Sequence, residues 1–470
     1  MSIESSPSRP PDGMEPLGAA GARLCPPLLT MESRKAALAA ILRLAFPAVV
    51  QQILSSLLQY VDTAMVGHLG EAATAAVSTS TTVNWLIHAV PYGFSLGLLS
   101  LLSRAYGRGD RKEMGQLSGL ALRLSLWIGL GLTAICLAVS PFLPVWMHAD
   151  PAVRGEASAY FFIVSLPLAF SVAGIFFSSA MNAVKDTRTP MIINSSANLL
   201  NVGLNYLLIY RCSMGVRGAA YATAVSTALG GIGLFAAFLR KEELRFQRED
   251  LREGLSRMGD LMKIAVPVVG SSVVSCTGYM VFAGMVNSMG ITVFAAHSIA
   301  VTAEEIFYIP GYGIRTATSA LIGIAIGEGN QQRFRDTRSI SVALTMVLMC
   351  FSGVVLFFVA RPLMGIFTSS EEVVALGAQV LRLVAFSEPF FGLMVAWEGI
   401  NYGTGHTRSV FFIESASMWG VRILCTALVI GAGGDLQAVW YCMIADNVTK
   451  AVALTIHGLR RKEDALGGKI

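Results

Sequence analysis

Long apolar segments follow one another along this chain and are separated by short polar or charged stretches. An α-helix needs about 20 predominantly apolar residues to cross the hydrocarbon core of a bilayer. Twelve segments of roughly that length recur, which predicts an all-α integral membrane protein with twelve transmembrane helices. We place them at about 37–66, 74–103, 117–141, 157–181, 190–210, 217–239, 262–288, 292–326, 339–360, 374–402, 409–432 and 436–457.

The composition agrees with a membrane protein. Hydrophobic residues make up 54% of the 470 positions and charged residues 14%, whereas soluble domains carry about a quarter charged residues. The mean hydropathy is +0.61. Residues 1–33 differ from the rest, because they are rich in Pro, Ser and Gly. They do not contain a basic start, a short apolar core and a cleavage site in that order, so no signal peptide is predicted. We expect them to form a disordered tail, and a mis-assigned start of the sequence is the alternative.

Basic residues are concentrated in alternate loops, namely 104–112, 185–188, 240–257, 333–338, 406–408 and 459–462. The loops at 68–72, 287–290 and 431–435 contain no Lys or Arg, although Arg211 and Arg217 are exceptions to the alternation. Cytoplasmic loops are enriched in Lys and Arg, so we predict that both termini are cytoplasmic and that the protein lies in the cell (inner) membrane. The loops also account for the net charge of +5, which therefore does not indicate a nucleic-acid partner.

The second half of the sequence repeats the first at a constant distance of 220 residues. Equivalent positions are LAFP 44–47 and IAVP 264–267, Gly70 and Gly290, GRGD 107–110 and GEGN 327–330, and Thr187 and Thr407. Six spans separate equivalent points, so both halves have the same orientation and form two pseudo-symmetric six-helix bundles, a parallel repeat.

The repeat also predicts a division of the chain. We expect an N-lobe at 34–239, a cytoplasmic linker at 240–260, a C-lobe at 261–458 and a cytoplasmic tail at 459–470. Two related bundles around a central cavity are typical of alternating-access transporters. Duplicated helix packing without transport is the alternative.

The first span carries a polar stripe. At the helical pitch of 100° per residue, six side chains fall within one sector: Gln52, Ser55, Ser56, Gln59, Asp62 and Thr63. A carboxylate that faced lipid would be costly, so the stripe is expected to face the bundle interior or a water-filled cavity. Asp62 is then placed to meet an ion or a ligand, and its alternative role is a bond to a neighbouring helix.

Polar faces recur on two further N-lobe spans. On the second span one face holds Thr81, Asn84, His88, Tyr92 and Ser95, and on the fifth span one face holds Asn194, Asn198, Asn201 and Asn205. Four amides on one face can coordinate a cation, bind a ligand or pair with other helices, and pairing alone is the main alternative.

The eighth and tenth spans carry the acids of the second half. His297, Glu304, Tyr308 and Arg315 share a face of the eighth span, with Glu305 beside them. Glu388 precedes a proline in the middle of the tenth span, where the freed backbone carbonyl suits a site that changes shape. Glu304, Tyr308 and Glu388 are therefore candidate ligand-binding residues. An internal salt bridge between Glu304 and Arg315 is the competing role.

Several enzyme signatures are absent from the sequence. It contains no HExxH, no Walker lysine motif and no GxSxG, so neither metalloprotease chemistry nor ATP hydrolysis is indicated. GRGD at 107–110 lies in a basic loop and is better explained as a tight turn than as part of an intramembrane protease. We do not predict an enzyme, and energy for transport would come from an ion gradient.

The sequence resembles the multidrug and toxic compound extrusion (MATE) family of cation-coupled antiporters over about residues 35–460. The matching stretches are AFPAVVQQILSSLLQYVDTAMVGHLG, AYGRGDRKE, MNAVKDTRTPMIIN, NLLNVGLNYLLIY, GVRGAAYATAVS, AAHSIAVTAEEIFYIPGYG and IGEGN. The resemblance implies a V-shaped pair of lobes and export of organic, often cationic, compounds in exchange for Na⁺ or H⁺.

The resemblance also implies site residues. An acid in the first span and polar residues in the fifth form an N-lobe cation site in the family, and here these positions fall on Asp62, Asn201 and Asn205. Asp62 would be the ligand for a Na⁺ ion. Some branches have an aspartate where this chain has Asn205, and many members have an acid in the seventh span, whereas residues 262–288 contain none. Glu304 and Glu388 must then carry the C-lobe charge.

The remaining substrate-binding candidates are the polar residues that face the predicted cavity: Gln59, Asn84, His88, Tyr92, Asn198 and Tyr308. We expect small organic substrates and membrane lipids as partners, a monomer, and no cofactor besides the coupling ion. A lipid-intermediate flippase of the same superfamily is the alternative function. Such flippases have a more basic central cavity, whereas the polar faces here are acidic and amide-rich. The sequence does not identify the substrate or choose between Na⁺ and H⁺.

Overall fold

The computed structural model describes residues 34–147 and 150–460, and the described chain folds into helices joined by short turns, without strands. The predicted tail at 1–33 and residues 461–470 lie outside the described residues. Helices satisfy the backbone hydrogen bonds that lipid cannot, which is why the apolar segments adopt them.

Between residues 34 and 240, the described part of the first half forms seven helices of at least 12 residues. They are α1 (Arg34–Gly67), α2 (Glu71–Arg108), α3 (Arg111–Val139), α4 (Arg154–Ser165), α5 (Leu168–Ala183), α6 (Arg188–Asn205) and α7 (Gly215–Arg240). The helices α4 and α5 form one span with a bend of 44° between them. A one-turn helix, Leu143–Trp146, precedes α4, and a π-helix, Tyr206–Arg211, continues α6.

The second half repeats this order. Its helices are α8 (Met258–Asn287), α9 (Ile291–Gly327), α10 (Gln331–Phe367), α11 (Glu371–Ala385), α12 (Glu388–Gly403), α13 (Thr407–Ser417), α14 (Leu424–Gly431) and α15 (Leu436–Arg460). The helices α11 and α12 form one span that bends by 56°. A π-helix, Met418–Ile423, joins α13 to α14, and short helices at Glu242–Leu244, Arg248–Glu253 and Gly254–Arg257 lead into α8.

The repeat is visible in the turns as well as in the helix bounds. Gly109 and its equivalent Gly329 both have a left-handed φ, of 69° and 65°. Each is followed by an N-cap residue whose side chain accepts a hydrogen bond from the backbone three residues on, Asp110 in one half and Asn330 in the other. The two-lobe parallel repeat predicted from the sequence is confirmed.

By length and composition alone, nine segments of the described chain are apolar enough to cross a membrane when each bent pair counts as one span. The other three predicted spans correspond to α6 with its π-helix, α9 and α15. These helices carry concentrated polar side chains, as Asn201 in α6, Glu304 in α9 and Asp446 in α15 illustrate. Each of these three helices thus supplies polar groups to the interior of a lobe.

The two lobes meet along α1 and α2 of the first and α8 and α9 of the second. They approach closely beside the turns at 107–110 and 327–330. A side chain at Gly107 would overlap the backbone of Ile324, and one at Gly327 would overlap the backbone of Arg104. Glycine at both positions lets the helices touch backbone to backbone there.

Candidate functional site: an aspartate–asparagine cluster and two cavities

Asp62 lies half-buried on α1 and contacts the end of α6. The side-chain nitrogen of Asn205, which is fully buried, donates to one carboxylate oxygen of Asp62 and, at 3.2 Å, to the side-chain oxygen of Asn201. Asn201 in turn donates to the hydroxyl of Thr223 on α7, at 3.3 Å. The three residues predicted to form a cation site therefore lie together. Asp62 is held by α1, both asparagines are held by α6, and α7 contributes the hydroxyl of Thr223.

One acceptor in this cluster is unused. The side-chain oxygen of Asn205 is buried and has no hydrogen-bond partner among the described residues. A buried acceptor without a partner is costly. Together with the Asp62 carboxylate and the Asn201 oxygen it forms a set of oxygen atoms suited to a hard cation, or to a proton carried by Asp62.

Irregular backbone adjoins this cluster. The π-helix Tyr206–Arg211 begins directly after Asn205, and the hydroxyl of Tyr210 within it donates to the carbonyl oxygen of Met65 on α1, at 3.2 Å. Single π-helical turns are rare and often occur at functional sites. Here the π-turn joins the end of α6 to α1 on the far side of Asp62.

The four asparagines of α6 divide into two pairs. Asn201 and Asn205 belong to the Asp62 cluster, whereas Asn194 and Asn198 line a cavity of about 480 Å³ in the N-lobe. Asn198 also donates to the hydroxyl of Ser55 on α1, at 2.9 Å. The polar face thus serves interhelical pairing and cavity lining at once.

The N-lobe cavity has an uncharged polar lining among the described residues. Its polar members include Gln51, Gln52, Tyr92, Ser95, Ser178, Asn182, Asn194 and Asn198. His88 contacts Ser171, which lines this cavity, at 3.3 Å. Gln59 and Asn84 are exposed and line neither this cavity nor the one described next, and the Thr81 side chain lies outside the described ones.

A cavity of about 610 Å³ in the C-lobe is charged and aromatic. Four glutamates line it, Glu304, Glu305, Glu398 and Glu414, and three basic residues, Arg315, Arg422 and Lys450. Aromatic side chains cover much of the remaining wall, and they include Tyr92, Tyr279, Phe282, Tyr308, Tyr312, Phe391 and Tyr402. The face of α9 predicted from the sequence, His297 to Arg315, points into this cavity.

The two candidate acids of the C-lobe differ in their surroundings. Glu304 is 2% exposed, lines the cavity and accepts a hydrogen bond from the hydroxyl of Tyr308, whose ring stacks on Phe391 at 3.7 Å. Glu388 is fully buried outside the cavity lining, against Gly353 of α10. Neither of its carboxyl oxygens has a hydrogen-bond partner among the described residues.

The salt bridge between Glu304 and Arg315, which the sequence left as an alternative, does not form. Arg315 instead donates to Glu398 on α12, at 2.6 Å, and to the hydroxyl of Tyr92 on α2, at 2.7 Å. Sequence reasoning missed Glu398. It lies one helical turn before the end of a predicted span, and Asn401 and Tyr402, three and four residues further on, were the signal that could have pointed to a polar face.

A second ion-pair group was also missed. Asp446 on α15 is fully buried, and its carboxylate lies 2.9 Å from Arg422 and 2.8 Å from Lys450. The spacing of Asp446 and Lys450, four residues on one helix, was a signal that the sequence contained. Each basic residue of the C-lobe cavity is therefore opposed by a carboxylate, and the cavity is not basic.

The family model described as MatE matches residues 47–207 and 267–428, one match in each lobe. A probable multidrug resistance protein NorM of Thermotoga maritima is 27% identical over 417 residues, which cover 87% of this chain and 90% of that protein. Multidrug and toxin extrusion protein 1 of Oryctolagus cuniculus is 25% identical over 90% of this chain and 75% of its own length.

Solved structures share the fold. A variant of the Vibrio cholerae MATE transporter VcmN has a TM-score of 0.86 at 19% identity, and covers 93% of this chain and 99% of that one. A MOP superfamily transporter from Pyrococcus furiosus, described as having a binding pocket of reverse polarity, has a TM-score of 0.85 at 20% identity over 92% of this chain and 97% of that one. At these identities the likeness concerns the fold alone.

Proposed function

The chain belongs to the MatE family, whose model covers most of both lobes, and on that premise we propose that it is a secondary active antiporter. It exports organic, often cationic, compounds in exchange for Na⁺ or H⁺. The observation that carries this proposal is the placement of the half-buried Asp62 carboxylate against Asn201 and Asn205 inside a transmembrane lobe. Relatives named as multidrug resistance and multidrug extrusion proteins support it.

The coupling step follows from the cluster around Asp62. An ion drives a conformational cycle only if it binds the two conformations with different affinity. An ionised Asp62 accepts from the Asn205 amide as in the described arrangement. A protonated Asp62 instead needs an acceptor, which the unused side-chain oxygen of Asn205 supplies after rotation of the amide. A Na⁺ ion would use the same oxygen atoms. Either ion rearranges the contact between α1 and α6.

The C-lobe cavity is the proposed substrate site. Carboxylates attract a cationic ligand, and the faces of Tyr and Phe rings attract it further through cation–π interactions. Glu304 and Tyr308 lie at the same wall, so a ligand ammonium or aromatic cation would meet both. A broad aromatic wall gives little directional selectivity, which suits transport of several compounds. His88, Tyr92 and Asn198 would contact parts of the ligand that enter the N-lobe cavity.

The lipid-intermediate flippase is not favoured. A pyrophosphate head group needs unpaired basic side chains. In the C-lobe cavity Arg315 is paired with Glu398, and Arg422 and Lys450 are paired with Asp446. We also propose that both termini and the linker at 240–260 are cytoplasmic, that the protein resides in the inner membrane as a monomer, and that it performs no catalysis.

The test is transport by the purified protein in proteoliposomes. Efflux of a fluorescent organic cation is measured with a Na⁺ gradient, a pH gradient or neither imposed. The proposal expects acceleration by at least one gradient in the wild type and none in Asp62→Asn. Transport of equal rate with and without both gradients would reject antiport, and movement of labelled lipid intermediates in place of the cation would establish the flippase.

A further inference from the structure

Packing contacts between the two lobes obey the 220-residue repeat. A side chain at Gly93 of α2 would overlap Val269 of α8. The equivalent residues repeat this contact from the other lobe, since a side chain at Gly313 of α9 would overlap Val49 of α1. The glycine contacts beside the two turns, described above, are related in the same way. This packing is therefore duplicated, and it does not distinguish one lobe from the other.

One polar contact between the lobes departs from this symmetry. Arg104 on α2 is 5% exposed, and its Nε and Nη2 atoms donate to the carbonyl oxygen of Gly403, at 3.4 and 3.2 Å. Nη2 also donates to the hydroxyl of Ser100, at 3.3 Å, and this hydroxyl donates to the same carbonyl oxygen, at 3.3 Å. Three donor atoms of the N-lobe thus converge on one carbonyl of the C-lobe. We call this contact of Arg104, Ser100 and Gly403 the Arg104 latch.

The acceptor of the latch lies at the C-terminal end of a helix. Gly403 is the last residue of α12. The last carbonyl groups of a helix lack intrahelical partners and form the negative end of the helix dipole, so a guanidinium is favourably placed there. Both hydrogen-bond partners of the Arg104 guanidinium are neutral. Such bonds are weaker than those between two charged groups, which suits a contact that is made and broken in each transport cycle.

Gly405 leaves the space that the latch occupies. It has a left-handed φ of 65°, and a side chain there would come within 2.6 Å of Nη2 of Arg104. The equivalent residue of the N-lobe, Lys185, has nearly the same φ, of 67°, and does carry a side chain. The turn by itself therefore does not require glycine. Glycine at position 405 is instead explained by the guanidinium that lies against it.

The repeat contains this latch once. Ile324 is the residue equivalent to Arg104, and Ala320 is the residue equivalent to Ser100. Neither side chain can donate a hydrogen bond, so the equivalent contact of the C-lobe with the N-lobe is not possible. A single polar contact inside a duplicated interface is not needed for packing alone, because the other copy of the interface packs without it.

We propose that Arg104 is a positioning residue of the transport cycle. The Arg104 latch favours the conformation in which the lobes touch beside the turns at 107–110 and 327–330, over a conformation in which they separate there. The proposal deepens the antiport proposed above, on which its meaning for transport rests. It assigns a role to a residue that lies outside the Asp62 cluster and outside both cavities.

Separation of the lobes beside these turns must break the latch. The guanidinium then returns to water, and the carbonyl group of Gly403 loses all three donors. Loss of a hydrogen bond that involves a charged group changes the ratio of closed to separated molecules by about tenfold or more. Gly403 directly follows Tyr402, which lines the C-lobe cavity. The latch therefore ties the end of a cavity helix to the opposite lobe.

The experiment measures separation of the lobes in purified protein, without transport. The reporter is Ser103→Cys, in a protein whose seven native cysteines are replaced. Ser103 is buried at the lobe boundary, where a side chain at Gly323 of α9 would overlap its hydroxyl. A water-soluble maleimide reaches this position only when the lobes separate, so the rate of alkylation reports even a small separated fraction. A second reporter, Ser125→Cys, is buried within α3 and detects unfolding of the N-lobe itself.

We expect Arg104→Met to accelerate alkylation at position 103 at least tenfold and to leave position 125 protected. Arg104→Lys keeps the charge but lacks the planar fork that reaches Ser100 and Gly403 together, so it should accelerate alkylation less. Arg108→Met is the matched control, one turn further along α2. It deletes an ion pair with Glu113 inside the N-lobe and should change the rate less than twofold.

Gly405→Ala tests the latch from the opposite lobe. Its side chain would displace the guanidinium, and it cannot loosen α2 around the reporter directly, so several-fold faster alkylation at position 103 is expected. Gly433→Ala is its control. Gly433 also has a left-handed φ, of 77°, but no atom beyond its chain neighbours lies within 4 Å of a side chain added there. It imposes the same backbone strain in the C-lobe and should leave the rate unchanged.

The inference is overturned if position 103 in folded Arg104→Met is alkylated no faster than in Arg108→Met, or if Gly405→Ala acts no differently from Gly433→Ala. If Arg104→Met does not fold, Arg104→Lys and Gly405→Ala give the same decision. The outcome is separable from that of the proposed function. If no gradient drives efflux, yet these variants separate the lobes, antiport fails and the latch stands. If gradients drive efflux but alkylation is unaffected, antiport stands and the latch is rejected.

Discussion

Asn205 donates a hydrogen bond to the carboxylate of Asp62 across 143 residues of sequence, and this contact joins the end of α6 to α1. The π-turn that begins at the next residue returns to α1 through Tyr210 and Met65. One contact is made by the carboxylate itself and the other lies three residues further along α1, so a change in the charge of Asp62 alters the fit of both helices. This is why the cluster is suited to coupling and not only to packing.

We expect Asp62→Asn to leave the protein folded and inserted but to abolish gradient-driven efflux. Asparagine keeps a hydrogen-bond acceptor for Asn205 and removes the charge that binds an ion. Asn205→Ala should weaken efflux, because loss of its hydrogen bond to the charged Asp62 costs about 1.5–3 kcal/mol, or roughly tenfold to a hundredfold in ion affinity. Asn201→Ala, which removes the neutral acceptor of the Asn205 amide, should weaken it less, by about 1 kcal/mol. Vesicle efflux under imposed gradients measures this.

The control for these variants is Asn198→Ala, on the same face of α6. It deletes the hydrogen bond to Ser55 of α1 and does not contact Asp62. It should change substrate KM more than the dependence on the gradient. Normal coupled transport by well-expressed Asp62→Asn protein would remove Asp62 from the coupling site.

Glu304 and Glu388 are expected to behave differently, although the sequence gave both the same role. Glu304→Gln should raise the KM for cationic substrates about tenfold and leave neutral substrates nearly unchanged, because only the cation loses a charge-assisted contact. Glu388 is buried without a partner, which is compatible with a neutral carboxyl group, and glutamine has the same shape. Glu388→Gln should therefore transport both classes of substrate normally.

Paired transport assays with one cationic and one neutral compound test both expectations. Equal losses in both classes for Glu304→Gln would indicate a structural role of Glu304.

The sequence predicted the contacts of the Asp62 cluster, which depend on the pitch of α6 and on the need of Asp62 for a polar partner. The pitch of α6 placed Asn201 and Asn205 on one face, and the carboxylate of Asp62 on an apolar helix required a polar partner. These are local regularities, so the N-lobe cluster could be predicted residue by residue.

The C-lobe contacts depend on which helix faces meet, and a linear pattern does not contain that information. Arg315 is 83 residues from Glu398 and 223 residues from Tyr92. Glu388 illustrates the same limit. Its place beside Pro389 suggested a ligand site that changes shape, and in the structure the chain bends by 56° there and the side chain lies buried against Gly353. The bend, and not the periodicity, determined its surroundings.

Substitution of Gly327 is expected to hinder the approach of the lobes. A side chain there would overlap the backbone of Arg104, and overpacking of a tight contact costs about 1–3 kcal/mol. Gly327→Ala should therefore slow transport several-fold while expression and thermal stability within each lobe change little. Gly131→Ala on α3 is the control, since a side chain added there would have no atom from another helix within 4 Å. Unchanged efflux in Gly327→Ala would show that the lobes do not need this contact during the cycle.

The last prediction concerns the loop between α5 and α6, outside the membrane-spanning helices. Burial raises the pKa of Asp186, but hydrogen bonds from Lys241, at 2.9 Å, and from Thr189 outweigh it and hold the pKa of this carboxyl below its ordinary value. A carboxyl whose pKa is lower in the folded state contributes stability above its unfolded pKa, and that stability is lost as the pH falls through the folded value. The contribution should thus be complete near neutral pH and disappear in acid. Asp186→Asn should lower the free energy of unfolding by about 1 kcal/mol at neutral pH and make no difference at the lowest pH at which the protein stays soluble. Thermal unfolding in detergent across this pH range measures the change in stability.

Asp260→Asn, which removes the partner of the exposed Lys263, is the control and should have a smaller effect at every pH. A destabilisation by Asp186→Asn that is the same in acid as at neutral pH would show that the loop depends on the shape of the Asp186 side chain and not on its charge.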